Sequence, residues 1–310
     1  KTDLHQSDES GRLRLHAGAR ATASGAIARR VPGIGDVNYD AFGVVGSTGL
    51  RWNHRSGFGA FVSLDQGFRV PNLQETTVLG DTGSKFEVPN AELLPEYSNA
   101  AEVGLSYRGS SVHTTVSGHA TWLDGLIDEQ DATWEGQSEV DGKPVVMRVN
   151  ANGGVYWGAS LESLWHHGAW SSSLRASYTF GEVDRGDEVV AGRRVPPPMG
   201  AFTLAYAISD ELWVDTRVHG AGSQTRLHPS DQQDLRICET VQFSGELDEN
   251  CAGSPAWVAA DIRAGWSMSE SMELIVKLQN LGDTQYRVHG SGTDQPGRSI
   301  WATVRYRMPK

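Results

Sequence analysis

The chain has 310 residues, enough for one large or two average domains, with 36 Gly, 10 Trp and a mean hydropathy of −0.39. No run of about 18 apolar residues occurs, which excludes a transmembrane helix but not a membrane barrel, whose strands are apolar only at alternate positions. The formal charge of −11 excludes a nucleic-acid partner, because phosphate contacts need a clustered excess of Lys and Arg.

The opening residues, Lys1-Thr2-Asp3-Leu4, are polar and contain no apolar leader, so the chain is expected to start after a removed leader or inside a longer protein. Leu13, Leu15, Ala17, Ala19 and Ala21 then share one face of a strand, with Arg12, Arg14, His16 and Arg20 on the other. The same alternation returns at Leu174, Ala176, Tyr178 and Phe180, at Met272, Leu274, Val276 and Leu278, and at Ile300, Ala302, Val304, Tyr306 and Met308. About twelve such half-buried segments can be read, and no amphipathic helix competes with them.

The connections alternate in length along the whole chain. Short breaks fall at His54-Arg55-Ser56, Gly109-Ser110, His167-Gly168, Ser209-Asp210 and Ser269-Glu270. Long polar stretches separate them, at 24–42, 70–95, 125–145, 182–198, 222–255 and 283–297. Transmembrane barrels are built this way, with tight turns on the periplasmic side and long loops outside, whereas long unstructured loops are uncommon in compact soluble domains. Trp52, Phe58, Trp122, Trp157, Trp165, Trp170, Trp213, Trp257, Trp266 and Trp301 fall near strand ends, as the aromatic girdles of a barrel require. The alternation predicts Ile300, Val304, Leu274, Val276, Leu174 and Tyr178 facing lipid. Arg305, Arg307, Lys277, Arg175, Arg217 and His219 are predicted to face the lumen, where Arg175, Arg217 and His219 are candidates for ligand contact. The two cysteines, Cys238 and Cys251, lie in the longest loop, either as inert thiols or, in an exported protein, as a disulfide.

Several short motifs occur in order from Gly67 onward. Gly67-Phe68-Arg69-Val70-Pro71-Asn72-Leu73 resembles the GFRxPxL segment in the barrel of TonB-dependent receptors. Leu94-Pro95-Glu96-Tyr97-Ser98 followed by Glu102-Val103-Gly104, the stretch from Asn152 to Glu162, and Arg194-Val195-Pro196-Pro197 are similar to later strands of that family. Leu278-Gln279-Asn280-Leu281-Gly282-Asp283-Thr284-Gln285-Tyr286 resembles its carboxy-terminal signature, and His289-Gly290-Ser291-Gly292 with Pro296-Gly297-Arg298 its last loop. The first sixty or so residues resemble it only by alternation. Pro71 and Pro95 suit the ends of strand pairing, Asn280 and Asp283 can cap a strand turning into its loop, and Gly290, Gly292 and Gly297 permit a positive φ. Arg69 and Glu102 are a plausible charge pair on the wall.

The resemblance implies an all-β fold, a transmembrane antiparallel up-and-down barrel of about twelve strands that is part of a 22-stranded one. Residues 1–310 are then the carboxy-terminal portion of that barrel. The family's plug domain and TonB-box peptide are not recognisable in these residues, so engagement of the TonB complex is expected through a plug region outside them. The function implied is TonB-energised uptake of a scarce solute (siderophore, cobalamin, haem or glycan) through the bacterial outer membrane. A passive pore or a surface-binding adhesin barrel is the alternative. Expected partners are the bilayer and its lipopolysaccharide, a small-molecule or peptide ligand at the outer loops, and a second polypeptide supplying the remaining strands.

No catalytic constellation, cofactor or metal is expected: there is no G-x-S-x-G elbow, H-E-x-x-H helix or phosphate loop. His113, His119 and His219 fall on polar strand faces and read as lumen residues. His228 and His289 lie in long loops, without the convergent ligands of a metal site. The acidic runs 128–131 and 246–249 lack the spacing of a Ca²⁺ loop and are expected to be solvated.

Overall fold

The computed structural model describes residues 2–7, 11–83, 85–232, 234, 236–238 and 251–308. Thirteen strands follow one another in a single antiparallel sheet, each paired with the next in the chain. They are β1 (Thr2–Ser7), β2 (Gly11–Val31), β3 (Gly35–His54), β4 (Phe58–Arg69), β7 (Glu96–Arg108), β8 (Val112–Asp124), β12 (Gly153–His167), β13 (Trp170–Asp184), β15 (Met199–Ala207), β16 (Leu212–Ala221), β17 (Trp257–Ser269), β18 (Met272–Gln279) and β19 (Ser299–Tyr306). A short β14 (Val189–Ala191) adds to the top of β13. Among the described residues β1 and β19 do not pair, so the sheet has two edges and does not close into a narrow barrel.

Register carries one apolar face through the whole sheet. The row Trp52, Ala60, Leu105, Val116, Leu161, Ala176, Gly200, Gly220 and Val258 is a succession of directly opposed residues. The large apolar side chains left exposed stand overwhelmingly on this face, among them Leu105 (68% exposed), Ile300 (70%) and Val304 (65%). Leu174, Tyr178, Leu274 and Val276 share it, while Arg175, Arg217, His219, Lys277 and Arg305 lie on the opposite, polar face. Arg307 follows the end of β19.

Two belts of rings bound the apolar face. One holds Phe58 against Tyr107 (centroids 4.8 Å apart) and Trp170 against Tyr206 (4.6 Å); the other holds Phe68 against Tyr97 (5.1 Å) and Trp157 against Phe180 (5.2 Å). Phe58 and Phe68 stand ten positions apart on β4. At about 3.3 Å per residue and a tilt of about 40°, that spacing spans about 25 Å, the height of the lipid-facing band of an outer-membrane barrel. Trp213, Trp257 and Trp301 depart from the girdle expectation, since register places all three on the polar face. Trp213 lies over Gly265 of the neighbouring strand, where a Cβ would sit 2.3 Å from the indole, and Phe61 covers Gly104 in the same way. That contact gives a steric reason for the glycine of the Glu102-Val103-Gly104 motif.

Replacing Val103, midway between the belts on β7, by Arg is expected to cost about 2–4 kcal/mol, the depth-dependent penalty for a charge facing mid-bilayer lipid. Urea unfolding of the refolded receptor in lipid vesicles measures this. The same change at Ser63 on the polar face should cost far less.

All five short turns lie where the sequence places them. The reading of 24–42 as an irregular loop is corrected: β2 and β3 stay paired from Ser24↔Ala41 to Ala28↔Val37, making a ribbon that turns only at 32–34. The other long connections, except 283–297, also carry regular structure. α1 (Leu73–Thr77), β5 (Gly80–Asp81) and β6 (Phe86–Val88) lie between β4 and β7; β9 (Ile127–Asp131), β10 (Glu139–Val140) and β11 (Lys143–Asn150) lie between β8 and β12; α2 (Pro229–Gln232) lies between β16 and β17. β5, β6, β9, β10 and β11 form a separate five-stranded sheet centred on β11.

Candidate functional site

The small sheet is fastened by charges that the sequence distributes over several loops. Arg69 at the end of β4 pairs with Glu96, its directly opposed residue on β7, and with Glu75 at 2.9 Å. The pairing of Arg69 with Glu102 is therefore corrected: Glu102 lies six residues further down β7, opposite Ser63 and His119. Asn72 and Glu75 form a reciprocal cap on α1, and the second Glu96 oxygen accepts the Ile127 N–H at 2.6 Å. Pro71 and Pro95 flank β4 and β7 where pairing stops, and Phe68 joins the upper ring belt.

Above this collar lies a buried ionic network. Glu129 (6% exposed) pairs with Lys85 from the preceding loop and with Arg148 at 3.4 Å, and accepts the Ser230 hydroxyl at 3.1 Å. Arg148 also binds Glu87 at 2.7 Å. Asp128 accepts Arg185 Nε at 2.8 Å and faces Nε2 of the fully buried His228 at 3.3 Å. The Ser230 N–H donates to His228 Nδ1 at 3.0 Å, and His228 Nε2 also lies 3.1 Å from Arg185 Nη2. These contacts join the β4–β7, β8–β12, β13–β15 and β16–β17 connections into one body. The ribbon tip joins too, since a Cβ on Gly33 (φ +80°) would lie 2.7 Å from the Trp134 indole.

The expectation that residues 128–131 are a solvated acidic run is thus corrected for Asp128 and Glu129. The second acidic run, 246–249, lies outside the described residues. Burial alone would raise the Asp128 carboxyl. The hydrogen bond and charge of His228, the Glu129 N–H and Arg185 outweigh it and hold the pKa at about 2. Glu129 is likewise held low, burial being outweighed by Lys85 and Arg148. Asp128 should therefore lend the loop body on the order of 2 kcal/mol that is complete above its unfolded pKa near 4 and lost as pH falls toward 2. Hydrogen exchange of β9 and β11 between pH 5 and pH 2.5 measures it. Protection unchanged across that range would contradict the assignment.

Cys238 and Cys251 form a disulfide with their Cα atoms 5.4 Å apart. Cys238 is 2% exposed, and its N–H donates to the Asp234 carbonyl at 2.9 Å, which ties the bridge to the ionic network. Reduction, or Cys238→Ser with Cys251→Ser, is expected to destabilise the loop by about 3 kcal/mol through the larger denatured ensemble. Limited proteolysis with and without reductant reads the effect as faster cleavage between β16 and β17.

At the carboxy-terminal end Asn280 (0% exposed, φ +53°) donates to the carbonyls of Thr284 at 2.8 Å and Pro296 at 3.1 Å, and accepts the Thr284 N–H at 2.9 Å. Asp283 accepts the Arg298 N–H at 2.7 Å, and the Arg298 side chain reaches the Leu281 carbonyl at 3.1 Å. Of the three glycines expected to adopt positive φ, only Gly290 does (φ +74°). Gly297 instead allows close approach, since a Cβ there would lie 2.8 Å from Asp283 Oδ1. Tyr286 stacks on Trp257 with centroids 4.0 Å apart.

Arg175, Arg217 and His219 line one open cavity of about 580 Å³ on the polar face. Arg175 is paired with Glu162 at 2.9 Å, and His219 lies edge-on to Trp257 with Nδ1 buried and unpartnered. Arg217 opposes Asp261, whose carboxylate pairs with Lys277 at 3.1 Å. His113 and His119 stand apart on the polar face of β8. Of the loop histidines, His228 is in the buried network, while His289 bonds Ser254 Oγ at 2.8 Å and is held below its usual pKa by burial. Lys85, Arg148 and Arg185 escape a sequence reading because their partners lie far away along the chain. The available signals were the apolar run Val145-Val146-Met147 in a stretch otherwise polar, and the density of Arg between 185 and 236 in an acidic chain.

The family model described as TonB dependent receptor-like, beta-barrel, matches residues 4–281. The chain belongs to the TonB-dependent receptor family. Among curated proteins this receptor barrel is 21% identical over 285 residues to the vitamin B12 transporter BtuB of Vibrio vulnificus (strain YJ016), covering 86% of the chain and 40% of that protein. Among solved structures it resembles the copper transporter OprC with a TM-score of 0.71 at 17% identity, covering 98% of this chain and 46% of that one. The FrpB iron transporter from Neisseria meningitidis gives 0.69 at 14% identity, covering 97% and 44%. The hemophore receptor HasR of Serratia marcescens, solved with its hemophore HasA and heme, gives 0.66 at 18%, covering 96% and 48%. The receptor barrel thus spans less than half the length of the relatives it matches, and these structural likenesses show its fold alone. The family is one of outer-membrane receptors and transporters, and its barrels close with 22 strands around a plugged lumen.

Proposed function

We propose that this chain is the wall and outer-loop portion of a receptor for TonB-energised uptake of a scarce solute across the bacterial outer membrane. The observation that carries the reading is the interlocked body of long loops, fastened by buried ion pairs at one end of the sheet, above a wall whose other face is polar. A passive pore gains nothing from so rigid a mouth, whereas a receptor needs preorganised loops to hold a dilute ligand. In this reading the remaining strands and a plug come from outside residues 1–310, either from the same protein or from a second polypeptide, and the plug engages the TonB complex. The lumen side chains Arg175, Arg217 and His219 then face the passage beneath the loops. Vitamin B12, copper, iron and heme are named for the relatives.

The test is uptake by cells expressing the full receptor, with and without TonB and the proton-motive force. Accumulation of a solute only in energised, TonB-positive cells supports the reading. Steady ion conductance of the purified protein in planar bilayers, with uptake indifferent to TonB, would instead establish a passive pore.

A further inference from the structure

The loop body lines a half-open polar cavity of about 520 Å³ whose cations are Lys85, Arg148, Arg193 and Arg236, against the carboxylates of Glu87, Glu129 and Asp234. Every carboxylate is already engaged: Glu87 by Arg148, Glu129 by Lys85 and Arg148, Asp234 by Arg194 and Arg236. Arg193 is the surplus cation. Among the described residues its guanidinium has no ion pair, and its Nε is buried without a hydrogen-bond partner. The backbone around it is fixed on both sides, the Gly192 N–H to the Gly181 carbonyl at 2.8 Å and the Arg194 N–H to Asp231 Oδ2 at 2.7 Å. The Asp231 Oδ1 atom is also unpartnered, but Asp231 does not line the cavity.

A desolvated guanidinium N–H left without an acceptor is unfavourable, and a planar fork of donors on a fixed backbone suits two oxygens of one anion. The cavity volume is that of a small-molecule site. We infer that this cavity binds a small anion through its carboxylate or phosphate oxygens, with Arg193 as the principal contact, the other three cations of the lining being balanced by its three carboxylates. The inference rests on the receptor reading and names the chemistry of the ligand.

Calorimetry on the detergent-solubilised full receptor at low salt tests it, with citrate and inorganic pyrophosphate as probes and glucose and choline as comparators. Citrate binding alone would identify a carboxylate ligand, and pyrophosphate binding alone a phosphate. The expected result is binding of at least one anion but of neither comparator, weakening as salt is raised and at least tenfold weaker in Arg193→Gln. Gln74→Glu adds a carboxylate to the exposed rim without touching any ion pair, and it should also weaken binding tenfold. It decides the matter if Arg193→Gln does not fold. Undiminished binding in a folded Arg193→Gln protein, or in Gln74→Glu when that variant must decide, overturns the inference. So does failure of both anions to bind at millimolar concentration. TonB-dependent uptake that persists without anion binding sinks this inference alone, whereas anion binding without TonB-dependent uptake sinks the receptor reading alone.

Discussion

Glu129→Ala should detach the loop body while leaving the wall intact. The substitution strands Lys85, leaves Arg148 with Glu87 alone and removes the acceptor of the Ser230 hydroxyl, in a place where Glu129 is only 6% exposed. Removing one partner of a buried ion pair costs about 3–5 kcal/mol, chiefly because the surviving charge stays desolvated. The loss is confined to the small sheet, because the thirteen wall strands are held by their own ladders. Hydrogen exchange should therefore speed up by two to three orders of magnitude in β6, β9 and β11 and stay unchanged in β12 and β13. Glu129→Gln, which retains acceptor capacity, should show a smaller change. Equal loss of protection in wall and loops would mean that the two are one cooperative unit.

Asn280→Ala should be comparably damaging, at the other end of the chain. Its side chain satisfies three backbone groups, the Thr284 N–H and the Thr284 and Pro296 carbonyls, from a fully buried position. Leaving them unpaired, together with a positive φ at a residue other than Asn or Gly, is expected to cost about 3–5 kcal/mol. Asn280→Asp isolates the donor half of the role, because it keeps the acceptor for Thr284 but loses both bonds donated by Nδ2. Denaturant midpoints of the refolded receptor rank the variants, with Ala expected below Asp and Asp below the parent. A midpoint within a few tenths of a kcal/mol of the parent for Asn280→Ala would refute the capping account.

Much of the wall could be read from the sequence because its determinants are local. Alternation with period two is visible at Leu13–Ala21 and Ile300–Tyr306 without knowing any partner strand, and short turns announce themselves at His54-Arg55-Ser56 or Gly109-Ser110. About twelve strands were legible, and the thirteenth, β1, is a six-residue segment beside them. The ribbon over 24–42 was misread because Gly25, Asp36, Asn38 and Asp40 resemble a loop in composition. Their pairing across a tight turn overrides that preference. The loop body was not legible for a different reason. Asp128 meets His228 one hundred residues away, and Lys85 meets Glu129 across 44, so no window of sequence contains both halves of a pair. The same reasoning covers Arg69, whose partner Glu96 is set by strand register across a loop rather than by spacing.

The two-faced wall is the claim on which the rest depends, and β7 tests it most directly. Single cysteines placed in turn from Tyr97 to Tyr107 of the full receptor in lipid vesicles can be labelled with a fluorophore. Each is then challenged with a lipid-borne and a water-borne quencher. Tyr97, Asn99, Ala101, Val103, Leu105 and Tyr107 share the apolar face, and Ser98, Ala100, Glu102, Gly104 and Ser106 the polar one. Lipid-borne quenching should peak at the odd positions, strongest near Val103, and water-borne quenching at the even ones. Quenching that does not alternate, or that alternates with the opposite phase, would contradict the account.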